Sequence, residues 1–347
     1  ILIYILFVLI FFNGIPSIAF MFSFDRFFSL LSYLTIGYFA IKLTPAFKKS
    51  FFAVLLMPMS IFLGSMVTYD NLLISITALA VASILKLTYD KKEKFNNKWF
   101  IIFLVIGYIL LNVKVIYAPI LGLMLFIPNE RFKNKDKKEK WKTYLLLGTV
   151  IILATILLKI PNLLLESAKS SDIYSKQLQY VLSHPLSYTK ILLNNIRGQL
   201  IQQLYWMVGT FGLLDTYLPP LFMFISFINL IIVFITDGIS EKIKINYKQK
   251  IIVLLSFILG VVGMYTAMYL YWTVDVFGEV GGNTITGVQG RYFIPLLISL
   301  PLLFSNSIFN RNKKIFNFSK EYFNYSILII IICLTISMLV SITRFWI

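Results

Sequence analysis

The stretch YSILIIIICLTISMLVSIT, residues 325–343, contains no charged side chain. A helix of ~20 mostly apolar residues spans the hydrocarbon core of a bilayer, where every backbone N–H and C=O must be satisfied within the chain. Apolar runs of this kind recur near 1–22, 27–44, 51–67, 70–87, 99–113, 115–128, 143–160, 201–236, 250–272, 292–309 and 325–347. The pattern predicts an all-α fold, a polytopic transmembrane helical bundle of about 11 spans, forming a single transmembrane domain over 1–347. Three runs are unusual. The run 201–236 is long, and Pro219-Pro220 is expected to separate a membrane-surface piece (201–214) from a span (217–236). The run 115–128 is short. The run 1–22 contains Asn13-Gly14 and Pro16 and is expected to be broken or re-entrant.

Composition agrees. The 347 residues are 59% hydrophobic and 14% charged, with a mean hydropathy of +0.83. Soluble domains average ~45–50% apolar and ~25% charged residues, so the solvent around most of this chain must be lipid. The net charge of +17 does not point to nucleic acid, because the lysines lie in short clusters between apolar runs. The 32 Phe and 20 Tyr are expected on lipid-facing and interfacial surfaces. One cysteine, Cys333, and one histidine, His184, exclude a disulfide framework, a Cys metal site and multi-histidine metal chemistry. The chain opens at Ile1 in apolar sequence without Met, and a further N-terminal segment is expected before it.

The clusters give orientation. Lysines 48 and 49; 91, 92, 94 and 98; Arg131 with lysines 133, 135, 137, 138, 140 and 142; lysines 242, 244, 248 and 250; and Arg311 with lysines 313, 314 and 320 occupy every second connection. Positively charged short loops stay in the cytoplasm. The chain is therefore expected in the bacterial cytoplasmic membrane, lysine loops cytoplasmic and C-terminus extracytoplasmic. The outer side then receives the turns at 67–70 and 112–115, the loop 273–291, and the segment 161–200. That segment carries Pro161-Asn162, Glu166, Ser170-Ser171-Asp172, His184-Pro185 and Arg197-Gly198, and its part 180–200 has the spacing of a membrane-surface helix.

Ionisable residues at membrane depth are expensive and mark functional sites by default. Asp70 opens the fourth run, where an acid also suits a helix N-terminus as a cap. Lys114, within Asn112-Val113-Lys114-Val115-Ile116-Tyr117, falls at the outer boundary, where it either snorkels to the interface or offers a point charge to phosphate. The string Gly287-Val288-Gln289-Gly290-Arg291-Tyr292-Phe293-Ile294-Pro295 joins an outer loop to the tenth run. Its glycines, with Gly281-Gly282, allow unusual backbone angles and close approach. Arg291 presents a planar fork suited to phosphate, or anchors at the interface beside Tyr292. Asp275, Glu279 and Asp25-Arg26 are loop charges that solvation explains, or carboxylates for a base or a divalent cation.

Five strings occur in order: Ile41-Lys42-Leu43-Thr44-Pro45, Leu56-Met57-Pro58-Met59, Ser65-Met66-Val67-Thr68-Tyr69-Asp70, Gly209-Thr210-Phe211-Gly212-Leu213-Leu214-Asp215-Thr216-Tyr217-Leu218-Pro219, and the Gly287–Pro295 string above. Together they resemble a bacterial multi-pass membrane family, domain of unknown function 2142, over most of the chain from about residue 25. That family is similar to the GT-C membrane glycosyltransferases. The resemblance implies an enzyme that moves a sugar from a polyprenyl-phosphate donor to a cell-envelope glycan on the extracytoplasmic face. Its partners would be the lipid-linked donor, membrane lipids and the glycan acceptor, with no nucleic acid and no assigned cofactor beyond room for a divalent cation. The family's acidic catalytic string, Pro-Asp-Glu followed by a His-Phe pair, does not occur in this sequence. The catalytic residue is left unassigned, with Asp70 a candidate, and by position in the resembling family Lys114, Tyr117, Asp215, Gln289, Arg291 and Tyr292 are the candidate substrate-binding residues, expected around one outward cavity. Two rivals remain: a lipid-linked sugar transporter or flippase, which needs polar residues through the bundle, and a non-catalytic membrane partner of an envelope-glycan enzyme.

Overall fold

A computed structural model describes residues 18–133, 136–166, 172–240, 243–305 and 313–345. Asn13-Gly14, Pro16, Lys135, Ser170, Ser171, Lys242 and Arg311 lie outside these described residues. Thirteen α-helices carry the described chain: α1 (Ile18–Leu43), α2 (Lys48–Leu55), α3 (Pro58–Gly64), α4 (Tyr69–Tyr89), α5 (Asn97–Val113), α6 (Lys137–Glu166), α7 (Asp172–Ser183), α8 (Pro185–Gly209), α9 (Pro220–Ser240), α10 (Tyr247–Leu270), α11 (Trp272–Phe277), α12 (Ile294–Leu297) and α13 (Lys313–Phe345). A 3-10 helix, Val115–Phe126, follows α5. The strand content among the described residues is one short antiparallel pair, β1 (Thr210–Phe211) with β2 (Thr216–Tyr217).

Local chemistry sets these boundaries. Pro58, Pro185 and Pro220 each open a helix, where their missing N–H has no partner to lose. Asn96 caps α5 through Trp99 N–H, and Asn246 forms a reciprocal capping box with Gln249 at the start of α10. After α5 the chain tightens into 3-10 turns around Pro119, which cannot supply an α-helical donor.

Five helical segments among the described residues are long and apolar enough to cross a membrane: Tyr69–Tyr89, Lys137–Leu157, Pro220–Ile239, Tyr247–Phe277 and Asn317–Arg344. The apolar helices Asn97–Val113 and Val115–Phe126 are shorter. The run 51–67 is the broken pair α2–α3, and the described part of 292–309, up to residue 305, forms short helical pieces around Pro295 and Pro301. The stretch 201–209 continues α8 instead of forming a separate surface piece, and the break falls at the β1–β2 hairpin and Pro219-Pro220.

Helix α4 is the centre. Its most apolar window is 78% buried, against 17% for α6 and α13, which therefore turn most of their surface outward. It packs against α1, α3, α5, α12 and the 3-10 helix. Lipid tails are as apolar as leucine, so close van der Waals approach has to hold such a bundle. Small residues along α4 (Ser75, Thr77, Ala78, Ala80, Ala82 and Ser83, all buried) permit that approach. The Ser75 and Thr77 hydroxyls return to carbonyls of their own helix, which satisfies them without water.

Hydrogen bonds fix two ends. At one, Lys49 donates to Ser319, Ser50 donates to Asp237 from both N and Oγ, Lys250 donates to Ser305 O, Arg131 to the carbonyls of Leu87 and Thr88, and Lys140 to those of Leu125 and Ile127. At the other, Ser29 meets Gly64 and Met66, Lys114 meets Asp70, Asn112 meets Thr155, and Arg344 meets Asp215. The described lysine clusters gather at the first end. The broken pieces 48–64, 115–127 and 290–305 each run from one end to the other.

Candidate functional site

Asp70 stands in the first turn of α4, just after a turn that α1 holds in place. Ser29 Oγ donates to Met66 O at 2.6 Å and to Gly64 O at 3.0 Å, and Asn71 Nδ2 donates to Ser29 Oγ at 2.5 Å. The helix cap position belongs to Thr68, whose side chain makes no capping bond. The Asp70 carboxylate turns instead to two cations: Lys114 Nζ lies 3.0 Å from Oδ1, and Arg291 Nε lies 3.8 Å from Oδ2. This ion pair, in place of a cap, accounts for a carboxylate only 9% exposed at a helix end.

Lys114 ends α5 and does not snorkel away. Its ammonium sits 3.9 Å from the Tyr292 ring centroid and 4.9 Å from that of Tyr69, a two-sided aromatic cage closed by Asp70. The Tyr117 hydroxyl, from the 3-10 helix, donates to Tyr292 O at 2.8 Å and fixes the backbone beside Arg291. Among the described residues Arg291 Nε is buried without a hydrogen-bond partner, and the guanidinium stands beside Asp70 and the Tyr292 ring.

The loop before Arg291 is held by a ladder of amides. Asn195, Gln199 and Gln203 follow one another at four-residue spacing on α8, one above the next on a single face. Asn195 donates to Asn283 O and accepts from Ile285 N, both at 2.9 Å. Gln199 donates to Ile285 O at 2.7 Å and Gln203 to Val288 O at 3.1 Å. Gln177 of α7 accepts from Gly281 N at 2.9 Å. The extended loop thus finds on helix side chains the partners a neighbouring strand would supply. Gly287, at φ 82°, turns it over the Trp272 ring, and a Cβ at Gly290 would collide with the α8 backbone at Gln203 and Met207. Arg291 is delivered by that close approach.

Between α1 and this cluster lies an open cleft of about 650 Å³. Asp70, Asn71, Arg291, Tyr292, Tyr69 and Thr68 form one wall, and Asp25, Phe28, Ser29 and Ser32 of α1 form the other. Lys114 is not on the wall; it lies behind Asp70. Asp25 makes no hydrogen bond or ion pair among the described residues. It is the cleft carboxylate that no described residue engages, on helix α1 and not in the loop its sequence context suggested.

The remaining candidates separate. Gln289 precedes the Arg291 turn with its Oε1 buried and without a partner among the described residues, and it does not line the cleft. Asp215 lies elsewhere, on the β1–β2 turn, paired with Arg344 at 3.3 Å. Partial desolvation pulls its carboxyl up, but the Thr216 hydroxyl, its own and the Leu213 N–H, and Arg344 outweigh that and hold it below the ordinary carboxylate range. Of the residues expected around one cavity, Asp70, Arg291 and Tyr292 line the cleft, Lys114 and Tyr117 contact them from behind, Gln289 does not line it, and Asp215 stands apart on its own turn. His184 stacks on Tyr180 and bonds Ser183 through Nδ1. Asp275 accepts from the Tyr174 hydroxyl. Among the described residues no group of three or more His, Cys, Asp or Glu could hold a metal ion. The amide ladder was missed in the sequence. Its signal was present as three amides at four-residue spacing inside a helix.

The chain matches, over residues 12–300, the family described as predicted membrane protein (DUF2142). No curated protein and no solved structure matches it. With its apolar helices, the chain is a multi-pass membrane protein.

Proposed function

We propose that this chain, which belongs to the DUF2142 family of predicted membrane proteins, transfers a sugar from a polyprenyl-phosphate donor to a cell-envelope glycan on the outer face of a bacterial cytoplasmic membrane. The observation that carries this is the cleft with Asp70 and Arg291 on one wall and, on the other, Asp25, which pairs with no described residue. It opens at the bundle end opposite the lysine clusters, the outer end if those clusters are cytoplasmic. The GT-C-like architecture belongs to the same proposal: the broken pieces 48–64, 115–127 and 290–305 would cross alongside the long helices.

In the step itself an acceptor hydroxyl oxygen attacks the anomeric carbon. The bond from that carbon to the phosphate oxygen breaks, and its electron pair leaves with the polyprenyl phosphate. Arg291 meets the charge that grows on the phosphate, its fork suited to two oxygens. Lys114 acts from behind by neutralising Asp70, so that Asp70 does not repel the phosphate. The acceptor proton passes to Asp25, since both Asp70 oxygens already face cations. An in-line displacement of this kind inverts the anomeric centre.

The test is transfer of radiolabel from a panel of polyprenyl-phosphate sugars by the full-length protein in membranes. Arg291→Ala is expected to lower the rate by about 100-fold or more, and Asp25→Asn by a similar factor. Normal transfer by an inserted Arg291→Ala protein would remove the phosphate role. No transfer from any donor by the parent would favour a flippase or a non-catalytic partner.

A further inference from the structure

Helix α1 separates two cavities. Residues 25, 28, 29 and 32 face the cleft just described, whereas Phe22, Arg26 and Leu30, on another face, line a groove of about 840 Å³ that α3 and α13 complete. The groove walls are mainly apolar, with Ile61, Phe62, Leu334 and Met338 among them. Its flanking helices turn bulky apolar side chains outward: Phe27 is 61% exposed and Leu339 52% exposed. In a multi-pass membrane protein such surfaces face lipid.

Among the described residues Arg26 is the one charged side chain lining this groove. Its Nε donates to Ser65 O at 3.2 Å, which orients the guanidinium, and its Cζ lies 6.0 Å from the Phe22 ring centroid. No described carboxylate pairs with it. A cation bonded to the Ser65 turn at the end of an apolar, lipid-flanked groove stands where lipid headgroups lie, and the surrounding bilayer supplies anions joined to hydrocarbon chains. Three observations, the single cation, the apolar walls and the lipid-facing flanks, fit one occupant.

We propose that the groove beyond α1 is a second lipid site, holding a phosphate-bearing membrane lipid with its headgroup on Arg26 and a hydrocarbon chain between α1, α3 and α13. The site is distinct from the Arg291 cleft and does not depend on sugar transfer.

The test is native mass spectrometry of the detergent-purified full-length protein, titrated with phosphatidylglycerol or with diacylglycerol of the same chains. The parent is expected to bind one phosphatidylglycerol at least about tenfold more tightly than diacylglycerol, a difference of ~1.4 kcal/mol. Arg26→Gln should abolish that preference, Met338→Trp should weaken both lipids by filling the groove, and Arg291→Gln should leave the preference intact. Parent-like preference in Arg26→Gln, or its loss in Arg291→Gln instead, overturns the proposal. Arg26 also bonds Ser65, so if Arg26→Gln does not fold the decision passes to Met338→Trp, which leaves that bond alone; parent-like phosphatidylglycerol binding there overturns it equally. No arm measures sugar transfer, so failure here leaves the transfer reading standing.

Discussion

One carboxylate at Asp70 answers two cations, and removing its nearer partner exposes what the pairing is worth. In Lys114→Met the carboxylate keeps only Arg291, 3.8 Å away, and loses a partner at 3.0 Å. Breaking a largely buried pair from one side costs about 3 kcal/mol, because a charge is left without compensation. Removing both charges, in Lys114→Met with Asp70→Asn, is expected to recover more than half of that loss. Unfolding of the four proteins in detergent measures the coupling; additive effects would show that the pair is not a unit. Asp70, Lys114 and Arg291 could be singled out in the sequence because charges near membrane depth are rare. Their mutual distances could not, since they come from α4, the end of α5 and the turn after the 283–290 loop, which only packing brings together.

At the scale of elements, the loop before Arg291 works because its backbone is accounted for twice, by the amides of α8 and by glycine at the point of contact. Gly290→Ala is expected to destabilise the protein by about 2 kcal/mol. Its Cβ meets the backbone of Gln203, Trp206 and Met207, which cannot rotate away as a side chain could. Gly282→Ala in the same loop is expected to stay within about 0.5 kcal/mol of the parent, having open space around its Cβ and no left-handed backbone angle. Unfolding midpoints compare the two, and equal losses would refute the close-approach account. The sequence marked this loop as glycine-rich, but it could not rank its glycines. Rank depends on what lies opposite each one, and the α8 backbone opposite Gly290 is remote in sequence.

For the whole molecule the described lysine clusters collect at one end and the charged cleft at the other. In a Cys333→Ser background, single cysteines at Val67 and Glu279 are expected to react with a membrane-impermeant maleimide on intact cells. Cysteines at Lys94 and Lys244 should react only after permeabilisation. All four positions are exposed, so accessibility reports sidedness rather than burial. Labelling at 94 from outside would invert the orientation and remove the cleft from the outer face.

The amino-acid sequence alone makes the membrane and the all-α class legible, because both follow from local quantities: uninterrupted apolar length, scarce charge, and lysines confined to alternate connections. It also located the Gly-Arg-Tyr-Phe string and the isolated charges. Tertiary packing sets which of those charges share a site. It put Asp25 opposite Arg291, moved Asp215 to a hairpin of its own, set Lys114 behind Asp70 inside a cage of Tyr69 and Tyr292, and gave α8 its ladder of amides. The reason is physical: ion pairs, cages and cavities depend on distances between segments far apart in the chain. Those distances are set by how the helices pack around α4, whose small side chains let its neighbours come close.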